Sequence, residues 1–201
     1  SQLDKMAEAY IREQGAIPGF LGLYDCPSTL LCSTNEAVVH GLPTNVPLKD
    51  GDIVSIDCGA IKNEYYGDHA YTFEIGEVTS ETKKLLQVAK ESLYLGIQEL
   101  KLGNRVGDVG YAIQKYCKDH GYGVVRELVG NGIGVKMQED PEMLNYGKRG
   151  KGKTIIDGML GTIETMINLG THSLKQRKDG WTIVSLDGKP SVHVDHDFAI
   201  M

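Results

Sequence analysis

The sequence lacks the features that mark several large classes of protein. Its 201 residues include no apolar run approaching the roughly 20 residues that cross a membrane. The polar residues 1–5 do not resemble the start of a secretory signal peptide. Basic residues are not in excess, and the formal net charge of −6 argues against a general binder of nucleic acids or anionic membranes. We therefore expect a cytoplasmic protein without a membrane or nucleic-acid partner.

Cysteine is sparse and has no ligand-like spacing. The four cysteines are Cys26, Cys32, Cys58 and Cys117. They form no C-x-x-C pair, and no group of cysteines and histidines has zinc-finger spacing. Reduced thiols in a cytoplasmic protein are the simplest interpretation.

A glycine-rich segment matches a nucleotide-binding pattern but lacks its context. Residues 147–154 read Gly-Lys-Arg-Gly-Lys-Gly-Lys-Thr, which satisfies the P-loop spacing. A P-loop follows a buried strand and opens a helix. Here a polar segment precedes the pattern, and Gly158 follows too soon for a helix. We predict no nucleotide cofactor.

The hydrophobic pattern predicts an α+β fold. Apolar stripes and terminal signals indicate helices over residues 3–14, 80–101 and 106–119, with Thr79 or Ser80 as the N-cap of the second. A hairpin runs from residue 54 to 75, and further strands are predicted at 123–130, 159–168, 181–186 and 191–200; residues 20–50 are loop-rich. Strands and helices do not alternate as in a doubly wound fold. We expect one domain over residues 1–201, with an N-terminal extension that is either missing or trimmed, because the chain starts at serine.

Two acids in the hairpin suggest a metal site. A two-residue turn at Lys62 and Asn63 would place Asp57 opposite Asp68. Directly opposed β-carbons are about 4.5–5.5 Å apart. Two carboxylates that close repel each other unless one is protonated or a cation lies between them. The alternative is an offset turn that leaves both acids in water.

Two more acids lie inside apolar strand-like segments. Glu164 interrupts the apolar run at residues 161–167. In a strand, Asp195 would point to the face opposite that of Val194 and His196. An unpaired buried charge is costly, whereas carboxylate oxygens suit divalent ions. Each acid by itself is more commonly a salt-bridge partner. Four acids in the strands of one small domain favour a metal site.

Several motifs in a fixed order carry a family resemblance. They are Asn35-Glu-x-x-x-His-Gly-Leu-Pro43, Leu48-Lys-Asp-Gly-Asp-Ile-Val-Ser-Ile-Asp57, Tyr66-Gly-Asp68, Ile163-Glu164 and Asp179-Gly-Trp-Thr182. Together they resemble the type I methionine aminopeptidases, from about residue 3 to 201. The resemblance implies the pita-bread fold, in which two pseudo-symmetric halves surround a curved antiparallel sheet. It also implies removal of the initiator methionine from nascent polypeptides, possible contact with the ribosome, and a monomer.

The resemblance assigns roles to individual residues. It implies two divalent ions (cobalt, manganese, iron or zinc) that activate water and polarise the scissile carbonyl. Asp57 would bind one ion, and Asp68 and Asp195 would bridge both. Glu164 would be a ligand and the general base, and His40 would lie near the scissile bond and the substrate amine.

Three positions with a direct role in the family's metal centre or catalysis carry other residues here. Asn131 stands where the family has its imidazole ligand, and Gln138 stands where a histidine hydrogen-bonds the substrate carbonyl. Asp195 is one methylene shorter than the usual glutamate. Asn131 could still bind a metal through its side-chain oxygen, and Gln138 could donate to the substrate carbonyl, because amides imitate part of an imidazole's hydrogen bonding. A neutral amide oxygen is, however, a poorer ligand for a borderline metal. We predict weakened metal affinity and impaired catalysis; the alternative is a non-catalytic relative that binds peptide N-termini or protein partners.

The resemblance also implies a pocket for the methionine side chain. Its positions are Phe20, Leu23, Cys26, Leu31, Met137 and Trp181. An apolar lining suits a thioether. The family usually has tyrosine where Cys26 stands and cysteine where Leu31 stands, which makes the selectivity for methionine less secure. Leu23 and Leu31 are equally compatible with an ordinary core position.

Overall fold

The computed structural model describes residues 1–201 as three α-helices, one short 3-10 helix and twelve β-strands. The helices are α1 (Gln2–Glu13), α2 (Ser80–Gln98) and α3 (Val106–Asp119), and the 3-10 helix is Leu23–Asp25. The strands are β1 (Ile17–Pro18), β2 (Leu30–Thr34), β3 (Ala37–Val39), β4 (Ile53–Lys62), β5 (Tyr65–Glu74), β6 (Gly123–Val124), β7 (Gly130–Gly132), β8 (Glu139–Met143), β9 (Leu160–Asn168), β10 (Leu174–Gln176), β11 (Ile183–Ser185) and β12 (Ser191–Ala199). No helix is both long and apolar enough to span a lipid bilayer.

The three predicted helices are present, within three residues of their predicted ends. Thr79 caps α2, since its hydroxyl accepts a hydrogen bond from the Thr82 backbone N–H at 3.1 Å. The closeness of α2 and α3 depends on Gly96, where a β-carbon would lie 2.9 Å from the Ile113 side chain. The helix pair buries its apolar stripes against the sheets.

All strand pairs are antiparallel, which confirms the predicted α+β class. One sheet contains β4 with β1, β2 and β5 as neighbours, and a small sheet has the order β10-β11-β3. A third sheet has the order β12-β9-β7-β8, and β6 also pairs with β9. Strand β9 therefore runs between β7 and β12.

The register predicted for the β4–β5 hairpin is wrong by two residues. Lys62 pairs with Tyr65, so the turn residues are Asn63 and Glu64, both with positive φ of 51° and 69°. A type I′ turn needs positive φ at both central positions, and asparagine at the first favours this placement. Asp57 consequently lies opposite Ala70, and Asp68 lies opposite Gly59. The two acids are diagonal neighbours on one face of the hairpin.

The predicted strand at 123–130 is also wrong, because it is split. Only Gly123–Val124 and Gly130–Gly132 are extended and paired, and both segments pair with β9. Strands β1, β2, β3, β8 and β10 were not predicted. They are short, and their side chains do not alternate clearly enough to give a period-two pattern.

The main core lies between the two long helices and one face of the long strands. It contains 19 buried residues, among them Leu85, Ile163 and Val192. Along β12, alternate residues such as Val192 and Val194 join this core. The residues between them, including His193 and Asp195, point to the opposite face and are equally buried.

The P-loop-like segment is a connection against the start of α3. The Val106 N–H donates to the Lys153 carbonyl at 3.0 Å, and the Gly107 N–H donates to the Lys151 carbonyl at 2.9 Å. The Gly150 N–H donates to the Asp108 carboxylate at 2.8 Å. No helix follows the segment. Its context is therefore not that of a phosphate-binding loop.

Candidate metal centre

Polar side chains from two strand pairs meet on the face away from the helices. Asp57 comes from β4, Glu164 from β9 and His193 from β12, and one donor atom of each lies within 4.8 Å of the other two. Asp195 is directly opposite Glu164 in the β9–β12 pair. Asp68 lies beside Asp57, and its charge acts on both Asp57 and Asp195. The structure thus brings together all four acids predicted to bind metal.

Asp57 is held in an environment that disfavours its negative charge. Burial raises the pKa of this carboxyl well above its usual range, and the charges of Asp68, Glu164 and Asp195 raise it further. Its Oδ1 atom is buried and has no hydrogen-bond partner. A carboxylate in such a place needs a proton or a cation.

Asp68 and Asp195 experience the same two effects. Burial, followed by the charge of Glu164, raises the pKa of Asp68 to about 7. Burial and the charges of Asp68 and Glu164 raise the pKa of Asp195 well above its usual range, against the opposing effect of a hydrogen bond from the Thr162 hydroxyl. Asp68 Oδ1 is another buried atom without a partner.

These residues fit a divalent metal ion. The unpartnered oxygens of Asp57 and Asp68 and the unpartnered Nε2 of His193 are buried donors available to an ion. A divalent cation would also remove the mutual repulsion that raises the pKa values of the acids. Carboxylate oxygens with one imidazole nitrogen are a donor set typical of zinc, manganese, iron or cobalt.

His193 is a site residue that the sequence-based prediction missed. It lies two residues before Asp195, and the same alternation that identified Asp195 places both side chains on one face. It is only 1% exposed. Its backbone is fixed by Thr72, whose hydroxyl donates to the His193 carbonyl at 2.8 Å and accepts from its N–H at 3.0 Å.

His40 lies at the edge of the acidic group, just after β3. Burial lowers the pKa of its imidazole, and the charge of Glu164 opposes that shift. His40 has a φ of 58°, an uncommon conformation for a residue other than glycine. The next residue, Gly41, is constrained as well, since a β-carbon there would lie 2.3 Å from the Cys32 carbonyl oxygen. This tight crossing fixes the position of His40.

Five of the six predicted pocket residues form one apolar cluster. Phe20, Cys26 and Leu31 are its buried members, and Met137 and Trp181 pack against them. Leu42, which was not predicted, also belongs to the cluster. Leu23 does not; it lies in the 3-10 helix and is half-buried.

Comparison with known proteins identifies the family. The model of metallopeptidase family M24 matches residues 1–201. The chain belongs to metallopeptidase family M24. It is 45% identical to a methionine aminopeptidase of Clostridium acetobutylicum, over 100% of this chain and 81% of the relative. It is also 45% identical to methionine aminopeptidase 1 of Bacillus subtilis, over 99% of this chain and 80% of the relative.

Solved structures of M24 enzymes agree. The methionine aminopeptidase of Rickettsia prowazekii superimposes with a TM-score of 0.98 at 37% identity, over 100% of this chain and 81% of that one. An Xaa-Pro dipeptidase of Bacillus anthracis has a TM-score of 0.76 at 20% identity, which shows the shared fold alone. The resemblance to type I methionine aminopeptidases, the pita-bread fold and the assignment to the aminopeptidase class of hydrolases are confirmed.

The two amides that replace family histidines lie in different settings. Asn131 is on β7, and its side-chain N–H2 donates to the carbonyls of Gly132 at 2.7 Å and Met137 at 3.0 Å. Its amide is therefore held by the local backbone. Gln138 is exposed in the connection before β8. Neither residue is drawn into the acidic group by a hydrogen bond to one of its members.

Proposed function

We propose that this M24 chain removes N-terminal methionine from nascent polypeptides by a two-metal hydrolytic mechanism that its substitutions impair. The observation that carries the proposal is the acidic group containing Asp57, Glu164 and His193, whose buried donor atoms lack partners. Because Asp68 and Asp195 add further carboxylates, the centre has enough oxygens for a second ion. The names of the relatives support the substrate class.

Each group has a defined task in this proposal. Divalent ions, when bound, supply an activated water and polarise the scissile carbonyl. Asp57, Asp68, Glu164 and Asp195 would hold them. Glu164 accepts the proton of the attacking water on its carboxylate, and this side chain remains 21% exposed so that water can reach it.

The substrate is oriented by groups around the acids. The apolar cluster of Phe20, Cys26, Leu31 and Trp181 receives the methionine side chain. His40, whose pKa is lowered by burial, is neutral at neutral pH and offers an N–H to the scissile peptide. Gln138 would donate from its side-chain amide to the substrate carbonyl.

Three substitutions weaken this machinery. Asn131 offers no imidazole, Gln138 is a neutral donor on an exposed segment, and Asp195 has a shorter reach than glutamate. The loss of one well-placed transition-state donor lowers the rate on the order of 100-fold. The same substitutions favour the alternative function, in which the chain binds peptide N-termini or protein partners without cleaving them.

Hydrolysis of a methionyl peptide separates the two functions. Metal-stripped protein is incubated with Met-Ala-Ser and either manganese, cobalt or no added metal, and free methionine is measured. We expect slow release that requires metal and is absent in Glu164→Gln. Saturable peptide binding with no release under any metal would instead support the non-catalytic alternative. The accompanying proposals are that the protein is cytoplasmic and acts as one domain over residues 1–201, as a monomer that associates with ribosomes. Gel filtration tests the monomer, and co-sedimentation tests the association with ribosomes.

A further inference from the structure

His193 carries a buried nitrogen that the rest of the protein leaves without a partner. The residue is 1% exposed, and its Nε2 forms no hydrogen bond. This nitrogen lies 3.2 Å from Glu164 Oε1, but the two atoms lack the alignment of a hydrogen bond. A buried polar atom without a partner destabilises the folded protein, so this nitrogen calls for a ligand.

We propose that His193 is a metal ligand of this chain and supplies the imidazole that position 131 lacks. Its Nε2 and one oxygen each of Asp57 and Glu164 lie within 4.8 Å of one another. Two ligand atoms that are each about 2.1 Å from an ion are at most about 4.2 Å apart. The three side chains therefore need to close by only a fraction of an ångström to share one ion. This inference rests on the proposed function, since it names a ligand of the same metal centre.

The topology explains how one imidazole can substitute for another. Strand β9, which carries Glu164, has β7 on one side and β12 on the other. Asn131 is on β7 and His193 is on β12. Met166 is the residue directly opposite His193, which makes Glu164 its diagonal neighbour across the pair. An imidazole from either flanking strand can thus approach the Glu164 carboxylate.

The local contacts of both residues favour β12 as the source of the ligand. The Asn131 side-chain N–H2 donates to two backbone carbonyls, at 2.7 Å and 3.0 Å, so only its amide oxygen could face an ion. That oxygen is a poorer ligand for a borderline metal than an imidazole nitrogen. The His193 backbone is clamped on both its N–H and its carbonyl by Thr72, which also hydrogen-bonds Ser55 at 2.8 Å. A fixed backbone and a free imidazole nitrogen are what a rigid ligand position requires.

X-ray absorption on the zinc-loaded protein tests the assignment directly. We expect the wild-type spectrum to contain imidazole scattering, and His193→Gln to lose it together with at least about a 10-fold loss of zinc affinity by calorimetry. His172→Gln is the matched control, because His172 is an exposed histidine away from the centre, and it should change neither measurement. Circular dichroism establishes that each variant is folded.

The possible outcomes separate this inference from the proposed metal centre. Zinc bound by oxygen ligands alone in the wild type, or imidazole scattering that survives in folded His193→Gln, overturns the role of His193 and leaves the metal centre standing. If the wild type binds no zinc, the metal centre itself fails, and the inference fails with it. Should His193→Gln not fold, His40→Gln decides: imidazole scattering that persists there supports His193, and its loss assigns the ligand to His40.

Discussion

The two faces of the β9–β12 strand pair are equally buried, but one carries apolar side chains and the other carries polar and charged ones. On one face, Ile163 and Val192 pack into the core beneath the helices. On the other, His193 and Asp195 are each 1% exposed, yet the face leaves polar atoms unpartnered and raises the pKa of Asp195. Burial stabilises the first face and destabilises the charges of the second. The comparison suggests that the first face maintains the fold and the second is reserved for an ion.

The largest expected effect is on the polar face. Asp57→Asn should weaken zinc binding by roughly 100- to 1,000-fold, because a neutral amide replaces a charged ligand. Calorimetric titration of metal-stripped protein measures the change. Ile56→Val alters the adjacent residue, whose side chain points to the other face, and should leave the affinity unchanged. Equal zinc affinity in Asp57→Asn and the wild type would show that the polar face does not bind the ion.

A core substitution one residue from Glu164 should lower the stability of the fold and leave the zinc affinity unchanged. Ile163→Ala is expected to lower the free energy of unfolding by about 2–4 kcal/mol, because it leaves a cavity in the main core. Urea denaturation of the metal-free protein measures this loss. Glu164→Gln should not reproduce it, since that side chain lies on the polar face. Reduced zinc affinity of the folded Ile163→Ala protein would show that the two faces are not independent.

Restoring the missing imidazoles on the polar face should raise the rate of peptide hydrolysis. Asn131→His combined with Gln138→His is expected to raise Met-Ala-Ser hydrolysis by about 10- to 100-fold, the range typical for one or two transition-state contacts. Initial rates at saturating manganese provide the measurement, with each single variant as a control. No gain in a variant that binds metal would place the remaining defect elsewhere, for example at Asp195.

The smallest expected effect concerns a buried aspartate whose partners are complete. Asp108 accepts hydrogen bonds from the N–H groups of Arg105 and Gly150, both at 2.8 Å, and these bonds lower the pKa of its carboxyl. Asp108→Asn should reduce stability by about 1–2 kcal/mol at pH 7, because a neutral amide weakens the hydrogen bond from the backbone N–H of Arg105, the N-cap of α3, and the one from Gly150.

The sign of that pH dependence follows from the lowered pKa. The stabilisation by Asp108 is fully present above the unfolded-state pKa of about 3.9 and is lost as the pH falls through the lower folded-state value. Wild type and Asp108→Asn should therefore differ at pH 7 and converge towards pH 3. Urea midpoints across this range measure the difference, and a constant gap would contradict the assignment.

The sequence predicted the long elements and the acids better than their pairing. The helices carry strong periodic stripes and clear caps, such as Thr79, so their ends follow from local chemistry. The hairpin register depended on which two residues adopt positive φ, and the choice of Lys62 with Asn63 in place of Asn63 with Glu64 shifted every cross-strand pair. Asp57 and Asp68 still met, because a shift of two residues keeps both side chains on one face.

Other parts of the site were not predicted, because they depend on contacts between segments that are distant in the sequence. The family motifs pointed to Asp57, Asp68 and Glu164, but they do not include His193, which the prediction missed. The alternation along β12 places His193 on the face of Asp195, but its proximity to Asp57 and Glu164 comes from the packing of β12 with β4 and β9, which no local pattern contains. Leu42 was missed for the same reason, whereas Leu23, which was assigned to the pocket, lies in the 3-10 helix outside the apolar cluster.

The ligands of the candidate centre are far apart along the chain. More than a hundred residues separate Asp57 from Glu164, so one ion held by both would act as a clasp between the first and last parts of the polypeptide. Such a clasp forms only when both parts are folded and docked. Metal supply would therefore set the resistance of the protein to unfolding as well as its chemistry, and a chelator would loosen the whole molecule at once.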